Sequence, residues 1–171
     1  MKKGLSIGDN EIKKGFLIAG GCLFSGGSIV EDIPYDPYLY FDGEEDSMAW
    51  RLFTNGYNIF HTPNTPIFHY YVDPSNIVTR PFHWDQTEET KRDTNWHDLK
   101  QRGRKRLNAI VENNLEGVYA LGKAKNLDDY SIFSGLDIKN KQVLDPGNVF
   151  NFNKLKDLKW NQDSEKTGIF G

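Results

Sequence analysis

The stretch Phe41-Asp42-Gly43-Glu44-Glu45-Asp46-Ser47-Met48-Ala49-Trp50-Arg51-Leu52-Phe53-Thr54-Asn55-Gly56 decides the fold of this chain. Its apolar residues Met48, Leu52 and Phe53 have i, i+4 and i+5 spacing, so they share one face of a helix. Acidic residues at the start of the stretch suit the partial positive charge of a helix N-terminus. Asn55-Gly56 supplies the left-handed residue that ends many helices. The sequence therefore predicts a short amphipathic helix that begins at Glu44 and stops at Asn55-Gly56.

Four carboxylates occupy the five positions from Asp42 to Asp46, and they have two interpretations. In one, Glu44, Glu45 and Asp46 are ordinary charges of a first helical turn. In the other, they lie at a strand-to-helix junction and face a polar substrate. The residues alone leave both interpretations open.

Composition bounds the class of protein. The 171 residues are 37% hydrophobic and 13% aromatic, which fits one globular domain with a real core and excludes a disordered chain. The net charge of −3 gives no electrostatic basis for binding nucleic acid. A single cysteine, Cys22, excludes an internal disulfide, and the longest early apolar run, Phe16 to Ala19, is too short for a signal peptide or a membrane span. We expect a soluble cytoplasmic protein with no membrane partner.

The chain ahead of the acidic cluster is predicted to contain one strand and one short helix. Residues 1–14 are polar and predict a loose lead-in. Phe16 to Phe24 is predicted to be a buried strand that Gly20-Gly21 interrupts, either for close approach to the backbone or at a bulge or tight turn. Ile29 to Pro34 predicts a brief helix closed by proline.

The chain after Gly56 alternates between strand and helix patterns. The predicted elements are strands at Tyr57 to Phe60 and Ile67 to Tyr71, an irregular aromatic segment at Arg80 to Asp85, a helical region from about Thr87 to Asn114, a helix from Leu127 to Gly135, and a peripheral strand or loose tail from Phe152 to Gly171. Lys100 to Arg106 places five cations in seven residues. This run is either a solvated helix face or a source of contacts to a diphosphate.

Several short motifs, in this order, resemble glycosyltransferases of the GT-A fold, and the GlcNAc-transferase family in particular, which includes cytoplasmic hydroxyproline GlcNAc-transferases. The motifs are Ala19-Gly20-Gly21, Tyr35-Asp36-Pro37, Gly43-Glu44-Glu45, Arg51, Thr54-Asn55-Gly56-Tyr57, Pro63 through His69, Arg104-Lys105-Arg106-Leu107, Tyr119-Ala120-Leu121-Gly122, Leu127 to Tyr130, and Gly135-Leu136-Asp137. The resemblance covers about Gly15 to Asp145. It implies residues 15–145 as the glycosyltransferase portion, between the lead-in at 1–14 and a peripheral tail at 146–171.

Polypeptide GalNAc-transferases offer a second resemblance. They carry a Gly-Gly-Glu motif, an arginine seven residues after its glutamate, and a metal-binding histidine eighteen residues beyond that arginine. Gly43-Glu44, Arg51 and His69 have this spacing here, with Asp42 in place of the first glycine. The resemblance thus implies that His69 is a ligand of Mn²⁺ or Mg²⁺; the alternative is a histidine packed within a strand.

The resemblance also assigns roles in the site. Glu44 and Glu45 would be catalytic, because they would hold hydroxyl groups and favour positive charge at the anomeric carbon. Glu45 has an alternative role as a salt-bridge partner of Arg51. The residues assigned to substrate binding are Gly20, Gly21, Asp42, Gly43 and Arg51. The families resembled retain anomeric configuration, so no dedicated general base is implied.

The chain has no Asp-x-Asp or Asp-x-His triplet, which in GT-A enzymes belongs to the N-terminal nucleotide-binding half. We therefore expect an α/β fold corresponding to the C-terminal, acceptor-side and catalytic half of a GT-A nucleotide-diphospho-sugar transferase. It would contain a small mixed sheet with flanking helices, and a missing N-terminal half would be a partner.

Three functions are consistent with these features of the sequence. The leading hypothesis is a metal-dependent, retaining glycosyltransferase portion that moves a sugar, GlcNAc, from a UDP-sugar donor to a hydroxyl on a protein or glycan acceptor. The second is a truncated, non-catalytic domain that binds glycan or protein through the aromatic residues Tyr35, Tyr38, Tyr40 and Trp84. Nucleic-acid binding through Lys100 to Arg106 is disfavoured, because the chain is acidic and carries no recognised module.

Overall fold

The computed structural model describes residues 12–62, 67, 81–146 and 169–170. The elements in chain order are β1 (Lys13–Gly15), α1 (Ile29–Asp32), α2 (Glu44–Thr54), β2 (Ile59–His61), α3 (Gln86–Glu89), α4 (Trp96–Val111), α5 (Leu127–Ser134), β3 (Leu136–Asp137), β4 (Gln142–Val143) and β5 (Ile169–Phe170). No helix in this described part is both long and apolar enough to cross a membrane.

Two small sheets accompany these helices. In the first, β2 is central: β1 pairs with it antiparallel, and β5 pairs with it parallel. The second is the antiparallel pair β3–β4. Mixed strand directions and interspersed helices are compatible with the predicted α/β class and with the small mixed sheet. The GT-A arrangement itself stays a prediction.

Helix α2 is the centre of the fold, and every residue from Ser47 to Thr54 is buried. It ends as predicted: Asn55 donates its backbone N–H to the carbonyl of Arg51, and Gly56 has a φ of 87°. Two apolar clusters use α2. The first contains Ile18, Ile29, Ile33, Met48, Ala49, Leu52, Tyr57 and Ile59, and the second contains Phe16, Trp50, Phe53, Ile110, Leu127 and Tyr130.

The helical region predicted from Thr87 to Asn114 is divided into α3 and α4. Asn95 begins the second helix, because its side chain accepts a hydrogen bond from the backbone N–H of Asp98 at 2.8 Å. Gly103, which as a helical glycine weakens α4 intrinsically, lies where a Cβ would come within 3.3 Å of the backbone nitrogen of Tyr40. The glycine lets the chain before the acidic cluster approach α4 closely.

The strand predicted from Phe16 to Phe24 is wrong. The strand lies earlier, at Lys13–Gly15, because pairing with the backbone of β2 rather than apolar content determines it. Gly20-Gly21 instead forms a turn, closed by a hydrogen bond from Cys22 N to Ala19 O at 3.0 Å, which is the turn alternative.

The remaining elements largely match the sequence. Helix α1 lies within the predicted segment, β2 is shifted towards His61, and α5 ends at Gly135 with a φ of 75°. The predicted strand from Ile67 to Tyr71 lies outside the described residues except for Ile67.

Candidate functional site

The turn at residues 41–43, just before α2, sets the directions of the acidic side chains. Phe41 has a φ of 58° and Gly43 a φ of 84°, so two of three consecutive residues are left-handed. The backbone N–H of Ser47 then donates to the carbonyl of Gly43 at 2.9 Å and starts the helix. The turn sends Asp42 in one direction and Glu45 in another.

Glu45 meets the glycine turn. Its Oε1 accepts a hydrogen bond from the backbone N–H of Gly20 at 2.6 Å. A Cβ on Gly20 would lie 3.2 Å from both Glu45 Oε1 and the Tyr35 hydroxyl. The structure therefore brings together Gly20 and Glu45, as the sequence predicts for the site, and adds Tyr35.

For Tyr35 the sequence predicts a role only in the aromatic surface of the alternative binding function. Desolvation raises the pKa of its hydroxyl, and the charges of Glu44 and Glu45 raise it further. The hydroxyl is therefore a neutral hydrogen-bond donor beside two carboxylates. Its presence in the Tyr35-Asp36-Pro37 motif was the one signal that could have placed it in the site.

Asp42 lies away from this cluster and pairs with α4. Its Oδ2 lies 2.7 Å from Lys100 Nζ and 4.0 Å from the Arg104 guanidinium. Farther along the helix, Arg106 Nε donates to the buried Asp36 at 2.7 Å. The basic run is thus only partly a solvated face, since three of its cations pair with carboxylates of the loop before α2.

Arg51 is buried, with 1% of its surface exposed. Its Nη2 donates to the carbonyl of Val118 at 2.9 Å, and its guanidinium lies over the ring of Tyr119. Desolvation lowers its pKa, against the opposing charge of Asp36. Within the described residues it forms no ion pair with Glu45, so the salt-bridge alternative is wrong.

A family model described as Glycosyltransferase (GlcNAc) matches residues 9–134 of the chain. The chain belongs to this glycosyltransferase family. The match includes Gly20, Tyr35 and the whole of α2, so the carboxylate cluster lies inside it. No curated protein and no solved structure matches the chain. Family membership indicates sugar transfer in general, and hence a transferase.

Asp46 borders a separate cleft of the glycosyltransferase. The cleft, of about 590 Å³, lies between the start of α2, the face of α4 and the β3–β4 hairpin, and Trp50 and Leu107 contribute to its lining. Desolvation raises the pKa of Asp46, as do the charges of Glu45 and Asp42. Asp46 therefore does not face the same space as Glu45.

The remaining predicted site residues are Gly21 in the same turn as Gly20, Gly43 at the start of α2, and a histidine outside the described chain. Gly21 is exposed, and a Cβ there would meet no atom within 4 Å. Gly43 packs on α4, where a Cβ would come within 2.7 Å of Leu107 Cδ2. His69 lies outside the described residues. Within the described ranges, no three His, Cys, Asp or Glu side chains are grouped so that they could hold a metal ion.

Proposed function

We propose that this glycosyltransferase moves GlcNAc from a UDP-sugar to a hydroxyl group of a protein or glycan, with retention of anomeric configuration. One observation carries the proposal: Glu45 and the Tyr35 hydroxyl meet at the Gly20 turn, with the charge of Glu44 close enough to raise the pKa of Tyr35, inside the segment that matches the family. The site thus combines carboxylates, a neutral phenol and a backbone position without a side chain.

These groups suit sugar transfer chemically. Departure of a nucleoside diphosphate leaves positive charge on the anomeric carbon, and fixed carboxylates stabilise such charge when they are already oriented. Glu45 is oriented by the Gly20 N–H. Glu44 has no hydrogen bond or ion pair with another side chain in the described part of the chain, so it is the carboxylate free to contact substrate. The Tyr35 hydroxyl would donate to a sugar or acceptor oxygen.

The wider assignment is part of the same proposal. The segment would be the C-terminal, acceptor-side and catalytic half of a GT-A enzyme in the cytoplasm, and a nucleotide-binding half would complete it. Mn²⁺ or Mg²⁺ would compensate the diphosphate charge. The described residues alone do not fit such an ion, so its ligands would be His69 and groups of the other half.

Replacement of Glu44 tests the site. We expect Glu44→Gln, which is nearly isosteric, to lower the rate roughly a hundredfold, because a contact that strengthens in the transition state is worth about 3 kcal/mol. The melting temperature should not change. The assay follows UDP release from UDP-GlcNAc by the chain combined with a nucleotide-binding half.

Glu116→Gln is the matched control, since Glu116 is an exposed glutamate inside the matched segment. Its turnover should equal that of the unmodified chain. Unchanged turnover in Glu44→Gln would remove Glu44 from the mechanism. If the unmodified, complemented chain releases no UDP, the non-catalytic binding domain becomes the better interpretation.

A further inference from the structure

Phe41 has an unusual backbone conformation that burial does not explain. It is a bulky residue with a φ of 58°, and 61% of its surface is exposed. Left-handed conformations are rare for such residues and cost on the order of 1–3 kcal/mol. An exposed ring held at this cost points to a function for its position.

The Phe41 ring belongs to an aromatic platform, which we define as the exposed residues Phe41 and Trp84 together with the half-buried Phe82. Trp84 stacks on Phe82 with centroids 4.8 Å apart and planes 5° apart. Phe41 meets Trp84 at 5.5 Å and 69°. Trp84 retains 41% exposure, so its ring is still accessible.

A hydrogen-bond network that includes His83, Tyr40 and Arg92 supports the platform. His83 lies against the rings of Phe41 and Trp84, both at 4.4 Å, and its Nδ1 is 2.6 Å from the Tyr40 hydroxyl. Arg92 Nη1 donates to the Tyr40 oxygen at 3.0 Å and to the His83 carbonyl at 2.6 Å. The rings are therefore preorganised, which reduces the entropic cost of binding a ligand.

The charges beside the platform restrict the ligand. Asp42 follows Phe41 directly; it lies 2.7 Å from Lys100 and 4.0 Å from Arg104, and Arg92 behind the rings lies 3.8 Å from Glu89. Because each of these cations already has a carboxylate partner, they offer little to a phosphate group, which disfavours a nucleotide stacked on the rings. Carboxylate oxygens accept hydrogen bonds from hydroxyl groups, and Lys100, paired with Asp42, supplies a donor at the same edge. A neutral, hydroxyl-rich ligand with an apolar face fits this surface.

A pyranose ring has those properties. One of its faces presents C–H groups, whose slight positive charge matches the negative face of an aromatic ring. We propose that the platform of Phe41, Phe82 and Trp84 is a saccharide subsite, with Asp42 at its polar edge. This inference rests on the proposed function in one respect: it takes the bound saccharide to be the acceptor of the transfer. It therefore favours a glycan over a protein as the acceptor.

Binding of N,N′-diacetylchitobiose, measured by calorimetry on the full chain without UDP, tests the subsite. We expect saturable binding that Trp84→Ala and Phe41→Asn each weaken by about tenfold or more, the size of effect that loss of an aromatic contact gives. Asparagine tolerates the left-handed backbone, so Phe41→Asn removes the ring without unfolding the turn. Phe24→Ala is the control, because Phe24 is 70% exposed and is not part of the platform.

Two results would overturn the subsite: no saturable binding by the unmodified chain, or an affinity in both platform variants equal to that of the unmodified chain. Preference for a hydroxyl-bearing peptide over the disaccharide would also overturn it. Since chitobiose binding needs no donor, a chain that binds the disaccharide but releases no UDP contradicts the proposed transfer and leaves the subsite standing. A chain that releases UDP but does not bind the disaccharide contradicts the subsite and leaves the proposed transfer standing.

Discussion

Arg51 is the largest fully buried side chain in the described part of the protein, and its charge has few partners there. Nη2 donates to Val118, while Nε and Nη1 have no hydrogen-bond partner among the described residues. Arg106 lies over the same Tyr119 ring at 5.4 Å, so a second cation is nearby. Burial of a charge with so few contacts is unfavourable.

We therefore expect the volume of Arg51, rather than its charge, to stabilise the fold. Arg51→Met should change the free energy of unfolding by less than about 1 kcal/mol, because it keeps most of the volume and removes the unpaired donors. Arg51→Ala should cost about 2–4 kcal/mol through the cavity it leaves. Chemical denaturation of both variants measures the difference.

Equal losses in the two variants would show that the guanidinium itself is required for stability. A separate outcome bears on the predicted substrate role. If Arg51→Met keeps the stability and loses the UDP-releasing activity, the charge acts on the substrate; if it keeps both, Arg51 is structural.

At this scale the sequence predicts residue types better than it predicts contacts. Glu45 and Gly20 are separately recognisable, but their hydrogen bond joins positions 25 apart, and no local pattern encodes it. Asp42 was assigned to substrate binding from its motif position, yet its nearest charge is Lys100, which only the approach of α4 reveals. The substrate-binding roles of these residues stay predictions.

The junction between α2 and α4 is the element contact on which the turn at residues 41–43 depends. Gly43 is left-handed and precedes the first residue of α2. A Cβ there would come within 2.7 Å of Leu107 Cδ2 and within 3.1 Å of Leu107 Cδ1. The backbone angle therefore favours glycine strongly, and a Cβ would also force the Leu107 side chain to shift.

Gly43→Ala tests this junction. The left-handed conformation costs about 1–2 kcal/mol for a residue with a Cβ, and displacement of the Leu107 side chain adds to this cost. We expect a loss of about 2 kcal/mol or more in the free energy of unfolding. Gly27→Ala is the control, because a Cβ at Gly27 meets no atom within 4 Å.

A Gly43→Ala variant as stable as Gly27→Ala would mean that neither the left-handed angle at Gly43 nor its contact with Leu107 of α4 stabilises the turn before α2. If the substitution lowers stability as expected, the helical circular dichroism of the whole chain should persist while the acidic residues change position, so transfer activity should fall as well.

Element prediction succeeds where local chemistry is sufficient. The bounds of helix α2 follow from its acidic start and its Asn55-Gly56 stop, and α5 follows from its glycine stop. The single apolar face predicted for Met48, Leu52 and Phe53 is wrong, because α2 is buried all round and Phe53 packs into the second cluster. Strand β1 could not be predicted, because its lysines carry no strand pattern and only the backbone of β2 fixes it. The break before α4 depends on the Asn95 side chain, which competes with a helical signal that runs through it.

Across the whole molecule, α2 separates two apolar clusters and therefore couples the ends of the described fold. Met48 and Leu52 pack into one cluster, while Trp50 and Phe53 pack into the other. Tyr130 of α5 closes the second cluster, and its hydroxyl donates to the carbonyl of Phe16 near β1. This hydrogen bond joins residues 114 positions apart, so no sequence pattern could have predicted it.

Tyr130→Phe tests whether that contact holds the two ends of the matched segment together. Tyr130 is fully buried, so loss of its hydroxyl leaves the Phe16 carbonyl without its donor at a cost of about 1–3 kcal/mol. We expect a melting temperature lower by about 2–4 °C for each kcal/mol lost. Tyr38→Phe is the control: Tyr38 is 64% exposed, and its ring can still lie under Arg106, so the change should stay within about 0.5 kcal/mol. Equal melting temperatures in the two variants would show that apolar packing alone joins α5 to the start of the domain.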